Sequence, residues 1–287
     1  MLNKIKSIYR FLSPKFQSVH LEYKVMPKPR YGHGKPPHPI LNTIIDSRRS
    51  EYISLINSFK KYEPALQEIK NAKEESNEDN PTWNNEYLPG LDIVALYSLV
   101  SEFKPRNYIE VGSGNSTKVA RKAIRDNKLN TKILSIDPFP RAHIDQLADE
   151  IIRKPFENME NYEILFERLE ANDILFIDNS HRLFPNSDVM IFFLEILPFL
   201  KKDVIVHVHD IYLPYDYPQF MCDRFYNEQY MLAMAIISNP AKFKILLPNY
   251  FVSQDVELSN LLETFWSHDN LKNVERHGGS FWFKINN

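Results

Sequence analysis

Apolar and polar positions alternate along the last two thirds of this chain in blocks that predict strands and helices in turn. Continuous apolar runs that end in a carboxylate are typical of parallel strands covered on both faces. The predicted strands are residues 108–111, 133–137, 151–153, 173–178, 203–210, 242–251 and 279–285, and the predicted helices are 91–103, 118–126, 142–150, 187–200, 220–238 and 256–266. This order predicts an α/β fold with a seven-stranded, mostly parallel sheet and helices on both faces.

The first 80 residues have a different pattern. Residues 1–30 form a basic arm, the proline- and glycine-rich stretch 31–39 predicts a rigid loop, and residues 47–72 have helical spacing. Residues 73–81 are polar and charged, contain no large apolar side chain and end in a proline, which is typical of a linker. We therefore predict a largely helical N-terminal extension over 1–80 and a main domain over 81–287.

A glycine turn follows the first predicted strand. Gly112-Ser113-Gly114 allows a sharp turn and a close approach to a ligand, and Ser116 or Thr117 is expected to cap the helix 118–126. Asp137 ends the next strand, where a carboxylate suits the two hydroxyls of a ribose. The combination predicts a nucleoside cofactor.

Two residues narrow the type of cofactor. Thr117 stands where a dinucleotide-binding fingerprint has its third glycine, and Glu110 would repel a diphosphate but attract the ammonium of an amino acid. Glu-Val-Gly-Ser-Gly with Asp137 resembles the first two motifs of the class I S-adenosylmethionine (SAM) methyltransferases, which have a Rossmann-like sheet. The resemblance implies SAM as the cofactor, with contacts from Glu110, Gly112, Ser113, Gly114, Asn115, Ser116, Asp137, Phe139 and Asp178. An NAD-dependent oxidoreductase is the alternative.

Strand-end acids also suggest where the reaction takes place. Glu110, Asp137, Asp178 and Asp210 are all expected at one rim of the sheet, and because clustered carboxylates repel one another, something cationic should lie among them. A decayed, non-catalytic scaffold with this fold is a further alternative. It is disfavoured because Asp178, His181, His209 and Asp210 are all intact.

Asp178-Asn179-Ser180-His181 and the strand end His209-Asp210 resemble segments of a bacterial branch of metal-assisted O-methyltransferases that act on sugars and antibiotic precursors. The resemblance implies a divalent metal held by Asp178, His209 and Asp210, although imidazole in place of a carboxylate suits zinc, iron or manganese better than magnesium. The metal-free alternative makes His181 or His209 the general base, with Asp210 orienting it. The expected acceptor is the hydroxyl of a small molecule, such as a sugar or a glycosylated metabolite.

Composition and charge indicate which partners the protein binds and where in the cell it is located. The 287 residues carry 35 Lys and Arg against 37 Asp and Glu, a net charge of −2, which disfavours nucleic acid as a partner. The single cysteine and the start of the chain predict a cytoplasmic protein without a transmembrane segment. The basic arm has two interpretations: a short amphipathic helix on an anionic membrane, or, favoured here, an arm that packs on the body or on the second subunit of a homodimer.

Overall fold

A single mixed sheet organises the protein. The structure is a computed structural model that describes residues 9–140 and 142–286. The seven strands of this sheet are β1 (Asn107–Val111), β2 (Lys132–Ile136), β3 (Glu150–Ile152), β4 (Ile174–Ile177), β5 (Ile205–Val208), β6 (Phe243–Pro248) and β7 (Phe281–Ile285). Their order across the sheet is β3-β2-β1-β4-β5-β7-β6, and β7 runs antiparallel to both of its neighbours. The predicted Rossmann-like, mostly parallel seven-stranded sheet is therefore confirmed.

Helices cover both faces of the central strands. Every residue of β4 and β5 is buried, and because successive side chains of a strand point to opposite faces, both faces are covered. The helices are α1 (Pro39–Asp46), α2 (Arg49–Phe59), α3 (Glu63–Gln67), α4 (Gly90–Phe103), α5 (Asn115–Asp126), α6 (Glu163–Glu167), α7 (Asp188–Ile191), α8 (Gln219–Cys222), α9 (Glu228–Ser238), α10 (Asn249–Gln254), α11 (Val256–Asn260) and α12 (Glu263–Trp266). None of the helices in the described part of the chain has the length and apolar character that a membrane crossing requires.

The N-terminal helices pack on the same hydrophobic core as the sheet. Leu41 and Ile45 of α1 and Tyr52 and Ile56 of α2 belong to the cluster that contains the strand residues. The predicted linker 73–81 is a loop between Lys70–Asn71 and Thr82–Trp83, which pair as two short parallel strands. Residues 1–8 of the basic arm lie outside the described residues, and the domain boundary at residue 80 stays a prediction.

The predicted helices 187–200 and 256–266 are each divided into shorter helical segments, and two further predicted helices are wrong because of a tertiary contact. Residues 142–150 form no helix, because Asp149 follows the sheet edge instead: its N–H donates to Ile133 O at 2.9 Å and its carboxylate accepts from Ile133 N at 2.8 Å. The predicted helix 220–238 is broken between α8 and α9, where the backbone N–H of Asn227 donates to His181 O at 3.0 Å. In both places a tertiary contact overrides the helical pattern.

Candidate active site

The glycine turn after β1 brings two strand ends together. Gly112 has φ +82°, and a Cβ added there would overlap with the backbone carbonyl oxygen of Asp178. Its N–H donates to Ile136 O at 3.0 Å, while Asp178 N donates to Val111 O at 2.8 Å. The turn therefore joins the ends of β1, β2 and β4, and this position requires glycine for both its backbone angle and its lack of a side chain.

The strand-end acid of β2 is held by the same turn. Asp137 accepts from Ser113 N at 2.8 Å through Oδ2 and from Phe139 N at 2.7 Å through Oδ1. The residue is only partly buried, so its carboxylate faces solvent as well as the turn. Ser113 Oγ and Ser135 Oγ lie 2.7 Å apart and tie the turn to β2.

Glu110 lies beneath the start of α5 and is fully buried. Its carboxylate accepts hydrogen bonds from the hydroxyls of Ser116, Thr117 and Tyr108. Burial, only partly offset by these donors, raises the pKa of Glu110 to about 7.

The start of α5 corrects the predicted helix cap. The helix begins at Asn115, three residues earlier than predicted, with Gly114 at its N-cap. Ser116 and Thr117 therefore lie in its first turn, and their hydroxyls face the buried carboxylate of Glu110. The prediction failed because a carboxylate buried in the core requires hydrogen-bond donors, and these two hydroxyls supply them.

A cavity of about 280 Å³ opens beside the turn. We call it the turn cavity; it is lined by Glu78, Tyr87, Leu88, Ser113, Gly114, Asn115, Ser116, Lys118, Ala142, His143 and Asp178. A Cβ added at Gly114 would meet no atom within 4 Å, so the backbone is open to the cavity here. Phe139, which is 87% exposed, borders a neighbouring cavity of about 530 Å³ together with Arg153.

Two histidines lie between the strand-end acids of β4 and β5. His181 Nε2 is 3.4 Å from both Asp178 Oδ1 and Asp210 Oδ2. His209 Nδ1 is 3.6 Å from Asp178 Oδ1 and 3.7 Å from Asp210 Oδ1. The structure thus brings together all four polar residues that the sequence singled out at these strand ends.

A second, buried acid stands behind each histidine. Glu228, the first residue of α9, is hydrogen-bonded through Oε1 to His181 Nδ1. Asp92, in the first turn of α4, lies 3.4 Å from His209 Nε2 through Oδ2. Both acids are fully buried, so each imidazole lies between an interior acid and the pair Asp178 and Asp210.

We call these two histidines and four acids the cluster: Asp92, Asp178, His181, His209, Asp210 and Glu228. Their contacts set its charge. Burial alone would lower the pKa of His181 and of His209, but Glu228 for the first and Asp178 for the second raise both pKa values well above the ordinary one. Burial likewise opposes ionisation of Asp178, yet the adjacent His209 holds its pKa well below the usual range. These contacts favour the protonated form of both imidazoles and the ionised form of Asp178.

The cluster faces a larger cavity of about 510 Å³, which we call the cluster cavity. Its lining includes Asp178, His181, His209 and Asp210, and it is completed by Asn84, Asn85, Glu86, Tyr87, Leu88, Pro89, Gly90, Tyr212, Phe220, Met221, Arg224, Tyr226, Glu275, His277 and Gly279. Tyr87, Leu88 and Asp178 line the turn cavity as well. The two cavities therefore meet at Asp178.

The sequence predicts a metal site formed by Asp178, His209 and Asp210. Within residues 9–140 and 142–286, no group of three or more His, Cys, Asp or Glu is arranged to hold a metal ion. Asp178, His209 and Asp210 are arranged as ion pairs of imidazole and carboxylate. Metal ligation by these three residues stays a prediction, and no step below depends on it.

Two neighbouring features have structural roles. His207 is fully buried, its Nε2 lies 2.7 Å from Ser280 Oγ, and its ring stacks on Phe176, as expected for an interior histidine. In the aromatic loop 212–218, Tyr212 lines the cluster cavity, whereas Asp216 accepts from Arg30 N at 2.6 Å and so holds the N-terminal segment.

Sequence reasoning missed Asp92 and Glu228. Asp92 accepts from Gly279 N at 2.8 Å, Ser280 N at 3.0 Å and Asn249 Nδ2 at 2.6 Å, so it also fixes the chain that enters β7. A signal was present, since Asp92 is the only acid in the first turns of an otherwise apolar helix. Glu228 carried no comparable signal, because acids are common in the first turn of a helix.

Comparisons with known proteins agree with the motifs. A family model described as a methyltransferase domain matches residues 109–211, which contain the glycine turn and most of the histidine–carboxylate cluster. This match supports the resemblance to methyltransferases that the sequence motifs indicated. No match was found among the curated proteins.

Solved structures of methyltransferases were also found to be similar. The SAH-bound methyltransferase PaMTH1 of Podospora anserina is 16% identical, with 69% of this chain and 79% of that chain covered and a TM-score of 0.41. The plantazolicin methyltransferase BpumL, in complex with SAH and a pentazolic desmethylPZN analog, is 12% identical, with 86% and 100% covered and a TM-score of 0.42. These likenesses are distant.

Proposed function

We propose that this protein is a SAM-dependent methyltransferase that transfers a methyl group to a hydroxyl of a small molecule, with sugars and glycosylated metabolites as the acceptor class. The observation that carries the proposal is the junction of the two cavities at Asp178, where His181 Nε2 lies 3.4 Å from that carboxylate. A cofactor in one cavity and an acceptor in the other would meet beside a group able to take a proton.

The turn cavity has the features that SAM requires. Its backbone is open at Gly114, and beside it the Asp137 carboxylate, which accepts from the N–H of the lining residue Ser113, suits a ribose. When bound, SAM supplies a methyl group on a positively charged sulfur, and an ionised Asp178 at the junction favours a cation there. We expect Gly112, Ser113, Gly114, Asn115, Ser116, Asp137 and Phe139 to border the cofactor, with Glu110 fixing the hydroxyls of Ser116 and Thr117 from below.

In the proposed mechanism, the residues of the cluster prepare the acceptor. In the fraction of molecules in which the His181 ring is neutral, a fraction that grows as pH rises, Nε2 can accept the proton of an acceptor hydroxyl in the cluster cavity. The acceptor oxygen would then take the methyl group that bound SAM supplies, as the bond from that carbon to sulfur breaks. Glu228 holds the Nδ1 proton of His181 and so leaves Nε2 free to accept. His181 is chosen over His209 because Nε2 of His209 has no hydrogen bond to Asp92 despite their proximity, so its ring is less firmly oriented.

In this mechanism, His209 and Asp210 determine the charge of the site. Protonated His209 faces Asp178 and Asp210 and keeps Asp178 ionised. The cluster contains four acids, Asp92, Asp178, Asp210 and Glu228, against two imidazoles. Such an excess of acids supports a neutral or cationic acceptor, because an anionic acceptor would be repelled.

The first prediction tests the cofactor. Asp137→Ala is expected to weaken binding of SAM and of its product SAH by about 10- to 100-fold, because hydrogen bonds from a charged group contribute about 1.5–3 kcal/mol. Isothermal titration calorimetry on both variants measures this, with NAD as the control ligand. Asp269→Ala, which removes an exposed carboxylate paired with Lys272, is expected to bind like wild type. Tight NAD binding with no SAM binding by folded protein would overturn the proposed function.

The second prediction concerns pH. Because protonated His181 cannot accept a proton, methyl transfer is expected to rise with pH through its raised pKa. Glu228→Gln removes the interior charge, so the pKa of His181 falls and the rising limb moves to lower pH. NMR titration of the His181 ring measures the same fall in pKa and requires no acceptor. An unchanged His181 titration in this variant would show that Glu228 does not charge the ring.

Partners and location remain as the sequence predicted them. We infer a cytoplasmic protein with no nucleic-acid partner.

A further inference from the structure

The basic arm is the most exposed part of the described chain. None of residues 9–26 is buried, and all except Ser13 are exposed. Of the 21 large hydrophobic residues that are exposed within 9–140 and 142–286, nine lie in this stretch: Tyr9, Phe11, Leu12, Phe16, Val19, Leu21, Tyr23, Val25 and Met26. Soluble surfaces rarely expose apolar side chains at such density without a partner for them.

The charge of the arm is one-sided. Residues 9–30 carry five cations, Arg10, Lys15, Lys24, Lys28 and Arg30, against the single acid Glu22. None of the ion pairs found among the described residues involves these cations. Arg10 instead lies over the ring of Phe16, 5.9 Å from its centroid. Unpaired cations interleaved with exposed aromatic side chains match a surface that is negatively charged outside and apolar inside.

The arm joins the body beside the cluster cavity. Its first hydrogen bond to the body runs from Gln219 Nε2 to Pro27 O, 2.9 Å. The next residue, Phe220, and Arg224 both line the cluster cavity, and Phe220 and Phe225 are themselves exposed. The apolar and basic surface of the arm therefore continues onto the rim of this cavity.

From this arrangement we propose that residues 9–30, together with the exposed side chains of Phe220, Arg224 and Phe225, dock the protein on an anionic lipid bilayer. The cations lie against the headgroups, and the aromatic and aliphatic side chains enter the boundary between headgroups and acyl chains. An anionic bilayer is favoured over a second copy of this chain because a second arm would bring five further cations against these five. Docking is independent of methyl transfer, and it would turn the mouth of the cluster cavity towards the membrane.

Vesicle co-sedimentation of the full-length protein tests this. Wild type is expected to bind vesicles of phosphatidylcholine with 30% phosphatidylglycerol, to bind pure phosphatidylcholine weakly, and to be released by high salt. The double variant Lys15→Glu, Lys24→Glu is expected to bind at least tenfold more weakly, since each basic residue near the surface contributes roughly fivefold. Phe11→Ser with Phe16→Ser is expected to lose binding even at low salt.

A matched control makes the same change of charge at two positions outside the arm. Lys128→Glu with Lys202→Glu alters two exposed lysines of the body by the same total charge, and its vesicle binding is expected to stay close to wild type. All variants are expected to bind SAH equally, which separates docking from the proposed reaction. Failure of folded wild type to bind anionic vesicles would overturn the proposal. A dimer that forms in solution without lipid and is lost in the arm variants would overturn it as well.

Discussion

Gly112→Ala is expected to destabilise the protein by about 4 kcal/mol or more and to abolish SAM binding with it. The added Cβ overlaps with the backbone carbonyl oxygen of Asp178, and φ at this residue is +82°. Backbone atoms cannot move aside as the end of a flexible side chain can, so β1 and β4 would have to separate. Denaturant unfolding measures the loss of stability, and calorimetry with SAH measures the loss of binding.

Variants of two other glycines separate the two causes of this destabilisation, which are backbone strain at a positive φ and overlap of the added Cβ with other atoms. Gly34 has φ +89° but no atom within 4 Å of an added Cβ, so Gly34→Ala is expected to cost only the backbone strain, about 1–2 kcal/mol. Gly114→Ala is expected to fold normally and yet bind SAM more weakly, because its methyl group enters the turn cavity. If the free energy of unfolding of Gly112→Ala were no lower than that of Gly34→Ala, the Asp178 carbonyl could not lie as close to Gly112 as described.

His181→Asn is expected to lower kcat for methyl transfer by about 10²–10⁴-fold while SAH affinity stays within a few-fold of wild type. Asparagine retains an amide donor near the position of Nδ1, facing Glu228, and it tolerates the left-handed backbone of this residue, φ +61°. The variant thus removes mainly the Nε2 that faces Asp178 and Asp210. Transfer of labelled methyl from SAM to a panel of sugars and glycosides provides the measurement.

His33→Asn is the matched control for this variant. His33 also has a positive φ, +54°, and its Nε2 lies 2.9 Å from a backbone carbonyl, that of Asp216. It belongs to neither the turn cavity nor the cluster cavity. Its replacement is expected to leave kcat unchanged. Full activity in His181→Asn, combined with inactivity in His209→Asn, would transfer the role of base to His209.

Prediction from sequence worked best where local pattern and tertiary structure require the same thing. β4 could be located from residues 173–178 because an apolar run of that length is stable only when it is covered on both faces. Residues 142–150 were misassigned because the pairing of Asp149 with Ile133 depends on a strand 16 residues earlier in the chain. Helix boundaries failed for the same kind of reason at Ser116 and Thr117, whose hydroxyls bond to Glu110.

The sequence by itself determined the Rossmann-like sheet, the glycine turn and the four polar residues at the ends of β4 and β5, since each follows from a short stretch of neighbouring residues. Only the tertiary structure revealed that Asp92 and Glu228 stand behind His209 and His181. These acids lie on helices far from the histidines along the chain, so no local pattern reports their proximity. The protonation of both imidazoles depends on this proximity and on burial, because a charge acts through distance and surrounding medium, and folding alone sets both.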